Sequence, residues 1–209
     1  MMSKSAAVKV WDPLVRIFHW SLVAFFTIAF VTGEEENVWH IYTGYAVLGL
    51  IAFRILWGFI GSEHARFSDF IFGPGKVIQY LGSLLGGKPQ RYLGHNPAGG
   101  YMVLLMLVVL LAVTITGVKV YGLEGHGPLA SSEGVSILAV ARADGDEGEN
   151  EQAGENESEE FWEEIHEAAS YFMLALIGLH ILGVIVSSRL HKENLVKAMI
   201  TGNKEAEQP

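Results

Sequence analysis

The stretch "FWEEIHEAASYFMLALIGLHILGVIVSS", residues 161–188, sets the architecture of this chain. After a short acidic start it is apolar over the length of about 20 residues that a membrane helix needs. It nevertheless carries two histidines, His166 and His180. An imidazole in hydrocarbon is costly, and it usually faces the interior of a helix bundle or a functional group. Two of them on one helix indicate a bundle with a function in its core.

The spacing of these histidines predicts where they point. Fourteen residues correspond to about 21 Å along a helix axis, and to a rotation about 40° short of four full turns. Both rings should therefore project from nearly the same face of the helix, at opposite depths of the membrane.

Three further segments have the length and composition of membrane helices: roughly Leu14–Thr32, Trp39–Ile60 and Gly99–Tyr121. The alternative for the first is a cleaved signal peptide. We expect a retained helix, because the apolar stretch is long, lacks an A-x-A-like cleavage site and is interrupted by Arg16 and His19. The sequence thus predicts an all-α, multi-pass integral membrane protein, a four-helix transmembrane bundle in one structural domain.

The distribution of Lys and Arg predicts the orientation. Basic residues flank the bundle near both termini and in the 61–97 loop, whereas "GEEEN" (residues 33–37) has none and the 122–160 connection has only Arg142. Lys119 is the exception close to a membrane boundary on the other side. We therefore expect both termini and the 61–97 loop in the cytoplasm, with the protein in a bacterial cytoplasmic (inner) membrane.

The connections are predicted from their composition. Residues 144–167 hold twelve of the 23 acids and no Lys or Arg, and without them the net charge of −9 becomes +3. Residues 123–160 are expected to form a disordered acidic periplasmic connection, because the segment buries too little apolar surface to fold. It either attracts a cationic cytochrome c or is a tolerated insertion. We expect helix four at 161–190 and a cytoplasmic tail at 191–209.

The loop at 61–97 contains an amphipathic stretch, with Val77, Ile78 and Leu81 among the apolar residues at helical spacing. Such a helix suits the cytoplasmic membrane interface. Packing on the end of the bundle is the alternative.

Topology places the four membrane histidines in two pairs. His19 lies about a turn and a half into the first helix, and His40 is among the first residues of the second. An inner pair, His19 with His180, and an outer pair, His40 with His166, should therefore lie at two depths. The charge count that fixed the orientation made no use of the histidines, so the match in depth is independent of it.

Two facing imidazoles suit a bis-histidine haem iron, because cofactor sites in helical bundles are built from facing helices. Zinc sites use three or four protein ligands, which is more than one histidine pair supplies. A proton relay is the competing interpretation, but a relay would not require histidines in matched pairs. The chain has no cysteine, which excludes iron–sulfur clusters, thiolate-bound haem and covalent c-type haem. We expect a bis-histidine haem at such a pair, with Arg16 and then Arg54 as the best partners for propionates and Arg66 after them.

The other four histidines are His64, His95, His126 and His191. We expect each to be a solvated or capping residue. His95 stands out, because "GHNPAGG" (residues 94–100) fixes a turn at the start of helix three. A quinone headgroup or a haem propionate could bind near it.

Five features together resemble the bacterial cytochrome b561 and nickel–iron hydrogenase b-type subunit family. They are "KVWDPLVRIFHWSL", "WHIYTGYAVLGLIAFRILWGFIG", "HARFSDF", "YLGHNPAGGYMV" and the final His-x13-His helix. The resemblance covers nearly the whole chain except about 125–160 and the tail. It implies a four-helix cytochrome with two b haems on His19, His40, His166 and His180. These are the same residues that we paired from their predicted depth in the membrane.

The resemblance also implies a function in a respiratory electron-transport chain. Electrons would pass across the membrane between the quinone pool and a periplasmic redox partner, either a cytochrome c or a dehydrogenase- or hydrogenase-type enzyme. We expect an electron-transfer subunit rather than a stand-alone catalyst, with no nucleic-acid partner. A superoxide:quinone oxidoreductase without a protein partner is the alternative, although the acidic outer surface would repel an anion. A non-haem transporter or scaffold is a more distant one.

Overall fold

The computed structural model describes residues 7–33, 37–87, 89–130 and 148–205. The elements are a strand β1 (Ala7–Lys9), helices α1 (Pro13–Val31) and α2 (Val38–Ile60), a 3-10 turn (Glu63–Ala65), helices α3 (Phe67–Phe70), α4 (Pro74–Leu85), α5 (Pro97–Leu123), α6 (Gly148–Leu190) and α7 (Leu195–Thr201), and a strand β2 (Asn203–Glu205).

Four of these helices are long and apolar enough to cross a membrane: α1, α2, α5 and residues Ser158–Leu190 of α6. The prediction of four such helices is therefore confirmed. The first two begin where the sequence supplies a cap. Asp12 accepts a hydrogen bond from the Val15 amide (3.0 Å) and is followed by Pro13, whereas Asn37 accepts one from the Trp39 amide (3.0 Å). Such caps satisfy amides that the first helical turn leaves without partners.

The last long helix differs from the sequence prediction at its N-terminal end. It begins at Gly148 rather than near residue 161, so residues 148–160 have a helical backbone where we expected disorder. Glutamate has a high helix propensity, and negative charges near a helix N-terminus are favourable. The apolar span therefore continues into its acidic flank as helix. The expectation of disorder for residues 131–147 lies outside the described residues.

The chain divides into two compact units, residues 1–107 with 175–209 and residues 108–174. In the first unit, α1 packs against α2. The second unit holds the C-terminal part of α5 and the N-terminal part of α6. The expectation of one structural domain stays a prediction.

Segments outside the long helices of the first unit form what we call the terminal layer, residues 7–12, 61–96 and 191–205. Within it β1 and β2 pair antiparallel, with Val8 opposite Lys204. A small apolar core joins the layer to the start of α1, and its buried members are Val10, Trp11, Val15, Ala65 and Ala198. Residues 195–205, which we expected to be part of a tail, are thus folded against the rest of the unit.

A partly buried ion-pair cluster also holds the terminal layer together. Glu193 forms salt bridges with Arg91 and with Lys204 (Nζ to Oε2, 3.7 Å). Lys204 Nζ donates a further hydrogen bond to the Tyr92 carbonyl (3.3 Å). The two chain ends and the 61–96 segment therefore share one face. The side of the membrane on which this face lies stays a prediction.

The predicted amphipathic helix in the 61–97 loop is present as α4. Tyr80 is buried against Tyr92, with ring centroids 5.9 Å apart, whereas Ile78 and Leu81 are 71% and 47% exposed. One side of α4 thus packs within the layer and another presents apolar residues outward. The position of α4 at a membrane interface stays a prediction.

Candidate cofactor site

The first histidine pair lies within the first unit. His19 on α1 and His180 on α6 are close enough to interact electrostatically. Nδ1 of His19 is buried and has no hydrogen-bond partner. A buried polar atom without a partner costs about 1–3 kcal/mol, so a bound group that contacts it would recover that free energy. His19 and His180 thus lie in the same unit and interact electrostatically, and their pairing as ligands stays a prediction.

His40 has a fixed tautomer. Its Nδ1 lies 2.8 Å from the carbonyl oxygen of Ala29, one turn before the end of α1. Since a carbonyl oxygen only accepts hydrogen bonds, Nδ1 carries the proton and the lone pair of the neutral ring is on Nε2. Metal-binding histidines almost always donate their other ring N–H in this way, which orients the ring and raises its basicity.

His166 in the second unit has the same arrangement. Its Nδ1 lies 3.0 Å from the carbonyl oxygen of Val113 and 3.1 Å from the hydroxyl of Thr116. α5 leaves room for the ring, because a Cβ at Gly117 would come within 2.9 Å of His166 Cε1. The proton is again on Nδ1. His40 and His166 lie in different units, so their pairing stays a prediction.

Arg54 on α2 is a buried cation, with 3% of its surface exposed. The guanidinium lies over the rings of Phe67 (5.1 Å) and Phe70 (5.9 Å), and Gly58 makes room for the Phe67 ring. One of its nitrogens, Nη1, is buried without a hydrogen-bond partner. A buried charge is stable only when it is paired, so Arg54 fits the sequence prediction of a residue that meets an anion such as a propionate.

Arg16 has a partner within the protein. Its Nη1 donates to the carbonyl of Ile200 at the end of α7, and Gly202 packs beside its Nε. A cation near a helix C-terminus is favourable, so Arg16 helps to hold α7 in place. Its Nε is buried without a hydrogen-bond partner and leaves one donor for a bound group.

His95, which we expected to be a solvated or capping residue, is instead half-buried. Its ring lies between Trp11 and Phe70, at centroid distances of 4.7 and 4.5 Å, and its Nδ1 is buried without a partner. Burial, with smaller contributions from nearby positive groups led by Arg54, lowers the pKa of His95 to about 3. The sequence signal was the turn in "HNPAGG", but the aromatic residues that partly bury His95 lie far from it along the chain.

His64 and His126 differ in their exposure to solvent. His64 is half-buried and pairs with Asp69 (Nδ1 to Oδ2, 2.9 Å). His126 is exposed, as expected, and stacks on Tyr121.

These observations fit a b-type haem. His19 and His180 lie in the first unit and interact electrostatically, and His40 and His166 each have the tautomer of a metal ligand. Arg54 and Arg16 have buried donor atoms without partners, as propionates require. The residues present thus supply nitrogen ligands and cationic groups in an apolar setting.

Comparison with known proteins agrees with the assignment of a haem-binding membrane protein. The family model of prokaryotic cytochrome b561 matches residues 10–202, and the chain belongs to that family. It is therefore a membrane b-type cytochrome of electron transport, and the family implies haem b.

Several relatives carry the name "Probable Ni/Fe-hydrogenase B-type cytochrome subunit". The one from Rhizobium leguminosarum bv. viciae is 28% identical over 149 residues, which cover 58% of this chain and 62% of that protein. Those from Azotobacter vinelandii and Rhodobacter capsulatus are 21% and 24% identical, over 95% and 96% of this chain and 89% and 82% of their own lengths. The match to the Rhizobium protein thus spans less than two thirds of its length. No solved structure matches the chain.

Proposed function

We propose that this chain is a di-haem cytochrome that carries electrons across the bacterial inner membrane. His19 and His180 hold a haem on the cytoplasmic side, and His40 and His166 hold a second one on the periplasmic side. The observation that carries this proposal is the tautomer of the second pair. Both rings donate Nδ1–H to a helix carbonyl, at 2.8 and 3.0 Å, so both have the Nε2 lone pair that iron requires.

The protein residues supply ligation, orientation and a low dielectric. When bound, the haems supply one-electron redox chemistry. Two histidines on each iron leave no open coordination position, so the chain favours electron transfer over reaction of a small substrate at the metal. Arg54 and Arg16 counter the charge of propionates on the cytoplasmic side.

The partners follow from the same topology. A membrane quinone exchanges electrons with one haem at its edge, and a periplasmic redox protein exchanges them with the other. The relatives are named as hydrogenase cytochrome subunits, which favours a hydrogenase as that protein over a soluble cytochrome c. In either case the chain acts as the electron-transfer subunit.

Reconstitution in vesicles tests the transfer. Vesicles that enclose ferricyanide receive a membrane-impermeant reductant on the outside, and loss of ferricyanide absorbance reports electrons that cross. Vesicles with the wild-type chain should lose it much faster than vesicles with His180→Ala, because that substitution removes a ligand and interrupts the path. Equal rates for the wild type, the variant and protein-free vesicles would contradict the proposal.

A further inference from the structure

The region around Arg54 and His95 has unsatisfied donors on two separate segments. Arg54 comes from α2, whereas His95 comes from the end of the terminal layer, immediately before α5. Nη1 of Arg54 and Nδ1 of His95 are both buried without a hydrogen-bond partner. Each such atom costs about 1–3 kcal/mol, and more for a charged group. Two of them in one region indicate a ligand that accepts hydrogen bonds.

A single aromatic ring connects the two residues. The centroid of Phe70 lies 5.9 Å from the Arg54 guanidinium carbon and 4.5 Å from the centroid of the His95 ring. Phe70 itself is fully buried. Arg54 and His95 also interact electrostatically. Arg54 and His95 therefore both lie against the same buried aromatic ring.

The nearby carboxylates are already occupied. Asp12 interacts electrostatically with Arg54, but it accepts hydrogen bonds from the Val15 amide, Trp57 Nε1 and Ser62 Oγ. Glu193 is paired with Arg91 and with Lys204, the second cation that acts electrostatically on His95. The oxygen atoms of these acids are thus committed to other donors.

The charge around the site favours an anion. Arg54 and Lys204 are the cations that act on His95, and His64 and His180 are the other titratable groups that do so. Half-buried His95 is neutral at physiological pH, and with its proton on Nδ1 it offers that nitrogen as a hydrogen-bond donor. A carboxylate can accept from Arg54 Nη1 and from His95 Nδ1–H at the same time, and charge-assisted hydrogen bonds of this kind are the stronger ones.

We propose that His95 and Arg54 together bind one propionate carboxylate of the haem held by His19 and His180. The inference rests on the proposed function and adds His95 to the residues that contact that haem. His19 lies six residues after the start of α1, and Arg54 lies six residues before the end of α2, which packs against α1. The site is therefore at the depth of His19, and His180 acts electrostatically on His95. A quinone carbonyl, the other oxygen acceptor available to a membrane protein, carries no charge and would leave the buried Arg54 guanidinium without a hydrogen-bonded anion.

The test uses purified full-length protein with its haem bound. His95→Phe keeps an aromatic ring between Trp11 and Phe70 but removes the donor, whereas His95→Gln keeps a donor. His191→Phe is the matched control, because His191 lies in the same layer and outside the proposed site. The measurements are haem content per chain, the propionate-bending band in the resonance Raman spectrum, and the two haem midpoint potentials.

His95→Phe should keep its haem content, shift the propionate band and lower one of the two midpoint potentials. The lost hydrogen bond leaves more negative charge beside the iron and favours the ferric state, by up to about tenfold, or 59 mV for a one-electron couple. His95→Gln should restore both signals toward the wild type, and His191→Phe should change neither.

An unchanged band and unchanged potentials in His95→Phe would overturn the inference. If only the KM for a soluble quinol analogue changed, the site would bind the quinone instead. If His95→Phe does not fold, Arg54→Gln and Arg54→Lys give the same comparison, with Gln expected to move the band and Lys to retain it. The haem content of the wild type is measured first. A wild type without two haems would contradict the proposed function rather than this inference.

Discussion

Gly117→Ala offers a direct way to disturb a ligand histidine without touching it. A Cβ at this position would lie 2.9 Å from Cε1 of His166. Carbon atoms in contact prefer at least about 3.5 Å, so the ring has to retreat by about 0.6 Å. If the His166 ring moves away along the direction of its hydrogen bond, the 3.0 Å separation of Nδ1 from the Val113 carbonyl grows to about 3.6 Å. At that distance the hydrogen bond is lost.

Loss of such an outer-shell partner typically lowers metal affinity about 10–100-fold, which corresponds to about 1.4–2.8 kcal/mol. We expect that loss for the haem bound by His40 and His166. The assay is titration of haem-depleted protein with haemin, followed by absorbance, with haem content per chain as a second measurement.

Gly49→Ala is the matched control, since a Cβ there meets nothing within 4 Å and Gly49 faces about 180° away from His40 on α2. It should bind both haems as the wild type does. Equal haem affinity in Gly117→Ala and Gly49→Ala would refute the reasoning about His166.

Three further substitutions test the packing and the charged groups around the sites. In each case the measurement is the stability of the detergent-solubilised protein to unfolding. Gly58→Ala places a Cβ in the ring of Phe67 and should cost about 1–3 kcal/mol through overpacking; an unchanged melting temperature would show that the ring can move freely. Glu193→Ala leaves its two basic partners unpaired and should cost about 3 kcal/mol, so a loss below 1 kcal/mol would contradict a partly buried cluster. Burial raises the pKa of Asp12, but the hydrogen bonds it accepts outweigh this and lower the pKa below 3.8. The stabilisation that ionised Asp12 provides is therefore present at neutral pH and lost as the pH falls below 3.8. Asp12→Asn should make the unfolding of the protein less sensitive to acid, and an unchanged dependence on pH would contradict this role of Asp12.

The spans and their histidines could be predicted from the sequence because their signals are local. A run of apolar residues predicts a membrane helix whatever surrounds it, and the 14-residue spacing of His166 and His180 fixes their relative direction. The position of the pairs in depth then followed from topology alone. His19 and His180, which are 161 positions apart in the sequence, lie in the same unit and interact electrostatically.

The terminal layer could not be predicted, because its signals are not local. β1 and β2 are three residues each, and Ala7 pairs with Glu205 from the other end of the chain. His95 is half-buried against Trp11 and Phe70, and no pattern around His95 reveals either neighbour. The helical start of α6 was missed for another reason. The low apolar content of a segment argues against its folding independently, but it does not prevent an adjoining helix from extending into that segment.

Haem content per chain tests the central claim most directly. Two imidazole pairs predict two b haems in the wild type and one each in His180→Ala and His166→Ala, with the remaining haem still showing the spectrum of a six-coordinate iron. A doubly substituted chain should bind none. A colourless wild type, or full haem content in either single variant, would contradict the claim that these histidines hold the haems.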